Sequence, residues 1–131
     1  MITAITHIAY NTANMDEMVD FYVNKLGFEK AFKMEQDGKL WIQYIKIAEG
    51  QFIELFNEEK VGGNIFGDRY NHIALLSDDI KAEVERLRGL GVEIVYDVAM
   101  GGDNTWQAWI ADPDSNRVEL MQFTDKSLQL Q

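Results

Sequence analysis

The stretch THIAY at residues 6–10 returns as NHIAL at residues 71–75, and this repeat is the main indication of the fold. Three further blocks return in the same order: WIQYI at 41–45 as WQAWI at 106–110, FIEL at 52–55 as RVEL at 117–120, and LGF at 26–28 as LGV at 90–92. His7 and His72, Trp41 and Trp106, and Glu54 and Glu119 are each 65 residues apart. A near-constant offset over four ordered blocks predicts two halves of the same structure.

Each half carries the same order of predicted elements. The first half has an alternating strand at 3–11, a helix that begins after Asn14 and ends at Gly27, and strands at about 28–36, 40–48 and 50–57. The second half has a strand near 71–77, a helix near 79–90, and strands near 92–98, 104–112 and 117–123. We therefore expect an α+β protein made of two tandem βαβββ modules.

The predicted module boundaries follow from the spacing of turn residues. Module 1 spans about 1–57, a glycine-containing linker about 58–70, module 2 about 71–123, and a polar, frayed tail 124–131. Asn14 with Glu17 three residues later has the spacing of a capping box.

Composition excludes several classes of protein. The 131 residues are 47% hydrophobic and 11% aromatic, which is enough for one packed domain. The net charge of −10 argues against nucleic acid or an anionic membrane as the main partner. No apolar run approaches the roughly 18–20 residues of a membrane span, the first residues do not resemble a secretory signal, and cysteine is absent. We expect a cytoplasmic protein.

The two histidines and two glutamates at repeat-equivalent positions are the candidate metal ligands. Glu54 alternates onto the same strand face as Phe52 and Phe56, and Glu119 shares its face with Met121 and Phe123. A carboxylate among large apolar groups needs compensation of its charge. Two His and two Glu form an N2O2 ligand set for a divalent cation. The alternative is that the histidines are hydrogen-bonded core residues and the glutamates face solvent, but the shared offset favours a metal site.

These features resemble the vicinal oxygen chelate superfamily, which has the glyoxalase/bleomycin resistance/extradiol dioxygenase-like fold. The resemblance covers about residues 3–123 and is carried by THIA at 6–9, DFY at 20–22 through LGF, NHIA at 71–74, and DPD at 112–114 leading to VEL at 118–120. It implies a curved mixed sheet around a cleft. The ligand order is similar to that of glyoxalase I (lactoylglutathione lyase), because epimerases of the superfamily typically carry Gln where this chain has Glu54.

The resemblance also implies a chemistry. One divalent metal per site (Ni, Co or Zn) would bind His7, Glu54, His72 and Glu119. Glu119, or its counterpart Glu54, would transfer the proton that converts the glutathione (or other thiol) hemithioacetal of methylglyoxal to the 2-hydroxyacyl thioester. Glyoxalase-like chains of this size usually form homodimers, so we expect a homodimer.

Substrate contacts are predicted at Asn11, Phe52, Phe56, Met121 and Phe123. Asn11 stands where glutathione-dependent relatives usually have Arg, and Glu58 stands where they have Asn. Trp41 and Trp106 are best interpreted as core residues. Arg69 and Arg117 are best interpreted as partners in surface salt bridges. Two alternatives stay open: a metal-dependent epimerase or lyase with a non-glutathione substrate, and a non-catalytic protein that sequesters a small molecule such as an antibiotic.

Overall fold

A computed structural model describes residues 1, 3–62 and 72–131, and the chain divides into two compact units, Met1–Gly63 and Asn64–Gln131. The first unit contains β1 (His7–Thr12), α1 (Met15–Val19) continued by a π-helical segment (Asp20–Lys25), β2 (Glu29–Gln36), β3 (Lys39–Ala48) and β4 (Gln51–Asn57). The second contains β5 (Ile73–Leu76), α2 (Ile80–Gly89), β6 (Glu93–Met100), β7 (Trp106–Ala111), β8 (Arg117–Gln122) and a 3₁₀ turn (Leu128–Leu130).

Each unit contains one four-stranded mixed sheet with the same topology. The strand orders are β1-β4-β3-β2 and β5-β8-β7-β6. The first strand of each unit pairs in parallel with the last, and the other pairs are antiparallel. The predicted tandem βαβββ modules are therefore confirmed. Most of the predicted linker, including Gly63, Gly67 and Arg69, lies outside the described residues.

Strand alternation gives each sheet a core face and an opposite face that carries the candidate ligands. In the first unit, Ile45, Ile53 and Leu55 are fully buried on the core face, where the helix supplies Met18 and Tyr22. In the second unit the corresponding buried residues are Ile110, Val118 and Leu120 from the strands and Ile80, Val84 and Leu87 from α2. Glu54 and Glu119 alternate with these buried residues along their strands, so their side chains project from the opposite face of each sheet.

The first helix differs from its prediction in two ways. After Val19 the backbone widens into π-helical geometry, in which the Leu26 N–H donates to the carbonyl of Phe21 five residues earlier (2.9 Å). Asn14 does occupy the N-cap position, but its side chain makes no capping hydrogen bond. The Thr12 hydroxyl accepts the Asn14 N–H at 2.9 Å. That bond replaces the one that Glu17 would make in a capping box.

The C-terminal tail packs against its own unit, so the prediction that it is frayed was wrong. The Ser127 side chain is buried and accepts a hydrogen bond from the Thr105 hydroxyl at 2.9 Å. The Gln129 amide donates to Asp103, and the Leu128 N–H donates to the Asp103 carbonyl at 3.0 Å. Polar residues hold the tail because the 101–105 turn presents partners for them.

Candidate functional site

The first unit brings His7, on its edge strand β1, close to Glu54 on the neighbouring strand β4. β1 and β4 pair in parallel with Ala9 opposite Glu54, which puts His7 and the glutamate on one face. The His7 Nε2 and Glu54 Oε2 atoms are 3.6 Å apart. The carboxylate side chain is only 9% exposed, whereas the imidazole is 48% exposed. The pair therefore combines a nearly buried carboxylate with an accessible imidazole.

The second unit repeats this arrangement with His72 and Glu119. Ala74 lies opposite Glu119 in the β5–β8 pairing, as Ala9 lies opposite Glu54. The His72 Nε2 and Glu119 Oε2 atoms are 3.1 Å apart, and the side chains are 31% and 9% exposed. The two His–Glu pairs, whose members are 65 residues apart in the sequence, therefore occupy equivalent positions in the two sheets.

The distances between the donor atoms of each pair can be compared with those expected around a divalent cation. Two ligands that each lie about 2.1 Å from a metal, at angles of about 90–110°, are separated by about 3.0–3.4 Å. The His72–Glu119 distance falls within that range, and the His7–Glu54 distance lies just above it. Within residues 3–62 and 72–131, no group of three or more His, Asp or Glu side chains is close enough to hold a metal. Each unit thus supplies half of the predicted ligand set.

Burial and neighbouring groups shift the pKa of Glu119 and of Tyr44. Burial raises the pKa of Glu119 above its ordinary value, and the neighbouring His72 opposes part of that effect. In the first unit, the neighbouring Glu54 carboxylate raises the pKa of Tyr44 above its ordinary value. Tyr44 lies opposite Glu54 across β3 and β4.

Aromatic residues around the pairs were missed by the sequence analysis. Phe32 stacks on Tyr44 with ring centroids 4.1 Å apart, and Trp109 meets His72 edge-on at 4.6 Å. Tyr44 and Trp109 both occupy the fourth position of their repeat blocks, WIQYI and WQAWI. The repeat contained this signal, but only the strand pairing shows that both residues lie opposite a glutamate.

The family to which this fold belongs follows from comparison with known proteins. The family model described as Glyoxalase/Bleomycin resistance protein/Dioxygenase superfamily matches residues 4–120. The chain belongs to this superfamily. It is 26% identical over 127 residues to a protein from Synechocystis sp. named probable lactoylglutathione lyase, covering 93% of this chain and 97% of that one.

Solved structures agree with the superfamily fold. A glyoxalase family protein from Enterococcus faecalis has a TM-score of 0.78 at 24% identity, covering 90% of this chain and 96% of that chain. An antibiotic binding protein from Streptomyces sp. has a TM-score of 0.74 at 21% identity, covering 94% and 98%. At these identities the likeness shows the fold alone. In the described residues, no helix is long and apolar enough to span a membrane.

The residues predicted to contact substrate lie on or next to the strands that carry the candidate ligands. Phe52 and Phe56 are half-buried on the Glu54 face, and exposed Asn11 lies opposite Phe56. Met121 and Phe123 are half-buried at the end of β8 and just after it. Their role in binding substrate stays a prediction.

The interpretation of the tryptophans as core residues needs revision, and Arg117 makes a contact that was not predicted. Trp41 is 37% exposed and meets Phe56 edge-on at 5.9 Å, so it is not a core residue; a position near the start of β3 leaves it at the surface. Trp106 is half-buried, with the Lys81 ammonium 5.1 Å from its ring centroid. The Arg117 guanidinium lies over the Tyr96 ring at 5.8 Å, a cation–π contact that the sequence analysis did not predict.

Proposed function

We propose that this protein is a metal-dependent lyase of the glyoxalase I type. It converts the hemithioacetal of methylglyoxal and a thiol, glutathione or another, to the 2-hydroxyacyl thioester. The observation that carries the proposal is the pair of His–Glu contacts at equivalent positions of the two sheets, each with a nearly buried carboxylate. The similarity to a probable lactoylglutathione lyase supports the same reaction.

His7, Glu54, His72 and Glu119 are the residues that would hold one divalent cation, Ni²⁺, Co²⁺ or Zn²⁺. When bound, the cation would stabilise the negative charge that develops on the two substrate oxygens as the C–H bond breaks. The protein supplies two imidazoles and two carboxylates. The donor set therefore balances the charge of the cation in surroundings that are otherwise largely apolar.

Glu119 is the proposed general base. A carboxylate whose pKa is raised by burial accepts a carbon-bound proton more readily than an ordinary one. Glu119 would take the proton from the hydroxyl-bearing carbon and return it to the adjacent carbonyl carbon. The electron pair stays within the substrate, so the reaction is an isomerisation that needs no external oxidant.

The apolar side chains around the ligands would exclude water from the reacting carbon. Phe52 and Phe56 flank Glu54 on its strand, and Met121 follows Glu119 by two residues. Asn11 would contact the thiol part of the substrate. Because Asn11 is neutral and the net charge is −10, a thiol with fewer carboxylates than glutathione is a specific alternative.

The proposed function is tested first by measuring metal binding and turnover. The purified protein is loaded separately with Ni²⁺, Co²⁺ and Zn²⁺, bound metal is counted, and conversion of the methylglyoxal–glutathione adduct is followed. We expect one metal per set of four ligands, and turnover that disappears in Glu119→Gln but persists in the control Glu93→Gln on the exposed end of β6. Metal binding without turnover would exclude this substrate and favour an epimerase or a non-glutathione lyase. Absence of bound metal would refute the mechanism.

We also propose that the active protein is a homodimer. Mixing inactive His7→Ala and His72→Ala chains tests whether ligands are shared between chains. If they are shared, some mixed dimers contain one complete site and regain activity. If each chain supplies its own four ligands, no mixing ratio restores turnover.

The second candidate function is the binding of a small apolar molecule without chemistry. Phe32 is 53% exposed although its ring stacks on Tyr44, and Met34 on the same strand is 43% exposed. Such exposed apolar groups could bind a planar ligand. A sequestering protein has no use for the His–Glu pairs, so stoichiometric metal binding that is lost in Glu119→Gln would exclude this candidate.

A further inference from the structure

The two strand glutamates are preceded by different residues on the same face of their sheets. Phe52 stands two residues before Glu54, and Arg117 stands two residues before Glu119, since the block FIEL returns as RVEL. Alternation along a strand puts residues two positions apart on one face. The second sheet therefore carries a cation on the face of Glu119, at the place where the first sheet carries a phenyl ring.

The Arg117 side chain lies across the neighbouring strand. Arg117 is paired with Ala111 on β7, and its guanidinium carbon is 5.8 Å from the centroid of the Tyr96 ring on β6. Since β7 lies between β8 and β6 in the sheet, the side chain passes over β7 beside the small methyl group of Ala111. Tyr96 is paired with Trp109, and Trp109 with Glu119. The guanidinium and the Glu119 carboxylate therefore share one face of the sheet formed by β8, β7 and β6.

The contact with Tyr96 restrains the cation without removing it from solvent. A guanidinium over an aromatic face is attracted through its charge, and this attraction does not consume its N–H donors. Arg117 is half-buried and Tyr96 is 57% exposed. Arginine stays positively charged, and its planar fork matches the two oxygens of a carboxylate. The Arg117–Tyr96 pair is thus a restrained cation on the Glu119 face that a dissolved anion can approach.

The equivalent place in the first unit is arranged differently. Lys46 is paired with Phe52, as Ala111 is paired with Arg117. The Lys46 ammonium lies 2.7 Å from Glu49 Oε2 in the turn between β3 and β4, so its charge is balanced within its own hairpin. A substrate anion would therefore be bound beside Glu119 rather than beside Glu54.

We propose that Arg117 is a specificity-determining residue that binds a single carboxylate on the thiol part of the substrate. This inference rests on the proposed function. Methylglyoxal is uncharged, so a carboxylate in the hemithioacetal has to come from the thiol. An anionic thiol also has to approach a protein with a net charge of −10, and a restrained guanidinium offsets that repulsion locally. The substrate class is therefore the hemithioacetal of a mercaptocarboxylate.

The first experiment compares two thiols of matched length. The methylglyoxal hemithioacetals of 3-mercaptopropionate and of 3-mercaptopropan-1-ol differ in their terminal group, which is a carboxylate in one and a hydroxymethyl group in the other. A hydrogen-bonded contact between charged groups is worth about 10–100-fold in binding, so the wild-type kcat/KM should be higher by that factor for the carboxylate adduct.

The variants of Arg117 should change this ratio of kcat/KM values. In Arg117→Met the ratio should fall to near one. In Arg117→Lys it should be intermediate, because the charge remains and the planar fork is lost. The matched control is Arg86→Met, which makes the same change on α2, where Arg86 pairs with Glu83, and should keep the wild-type ratio.

The second experiment needs neither metal nor turnover. The metal-free protein is titrated with 3-(methylthio)propionate or with 3-(methylthio)propan-1-ol, and the side-chain Nε–H resonance of Arg117 is followed by NMR. We expect a saturable shift with the carboxylate and none with the alcohol, while the Arg86 resonance stays in place. If the wild type converts neither hemithioacetal, the proposed function fails for these thiols, and the titration alone decides the role of Arg117.

Two results would overturn the proposal. One is an Arg117→Met protein with the wild-type ratio of kcat/KM values. The other is an Arg117 resonance that responds to the carboxylate no more than to the alcohol. Loss of folding is distinguished from loss of specificity because the ratio compares two substrates of one protein, and the thermal unfolding of Arg117→Met should match that of Arg86→Met.

Discussion

Glu119→Gln should make the metal-free protein more stable while removing most of its thermal stabilisation by metal. Burial raises the pKa of Glu119 in the folded state, so the folded state binds that proton more tightly than the unfolded state. The resulting contribution to stability is fully present below the ordinary glutamate pKa and is lost as pH rises through the folded-state value. The glutamine side chain of the variant would remain neutral throughout. The stability advantage of the variant should therefore grow as pH rises from the ordinary glutamate pKa through the raised folded-state pKa of Glu119.

The metal-induced shift can be estimated from chain length. For 131 residues the entropy of unfolding is about 275 cal/mol/K, so 1 kcal/mol corresponds to about 4 °C in Tm. Free metal at 100 times its Kd stabilises the folded state by about 2.7 kcal/mol, or about 10 °C. If loss of the Glu119 carboxylate weakens binding about 100-fold, the same metal concentration adds only about 0.4 kcal/mol, or about 1–2 °C.

Calorimetry with and without Ni²⁺ at several pH values measures both effects. Glu93→Gln is the matched control, since it makes the same chemical change at an exposed position of β6 and should keep the wild-type shift. Two observations would contradict the reasoning: a Glu119→Gln protein that retains the full Ni²⁺ shift, or a metal-free variant whose Tm follows the wild type at every pH.

Three further predictions concern the framework of the site. Asp79→Ala removes the side-chain N-cap of α2 and should lower the free energy of unfolding by about 1 kcal/mol in urea titrations, while Asp79→Asn should restore most of it. Ser127→Ala breaks buried hydrogen bonds and should cost about 1–3 kcal/mol, with faster amide exchange over 124–130 than in the wild type. Leu87→Ala in the core should cost about 2–5 kcal/mol by chemical denaturation, whereas Leu90→Ala, at a 45% exposed position, should change stability by less than about 0.5 kcal/mol.

The repeat and the pairing of candidate ligands could be predicted from sequence because both depend on short-range periodicity. Alternation along β4 and β8 places Glu54 and Glu119 on the face opposite the buried Ile53 and Val118, whatever their partners are. The bounds of the elements followed from turn and cap residues to within a few positions. The sequence could not decide which of two local acceptors bonds the Asn14 N–H. The Thr12 hydroxyl accepts this N–H in place of the Glu17 carboxylate of a capping box.

The tandem fold and the four candidate ligands can be read from the sequence, since a 65-residue offset and a two-residue strand period are visible in it. The groups that surround each candidate ligand are seen only in the folded chain. Tyr44 lies opposite Glu54, the Trp109 ring meets the His72 imidazole, and the tail packs on the 101–105 turn. These neighbours depend on the pairing register and packing of segments that are distant in the chain.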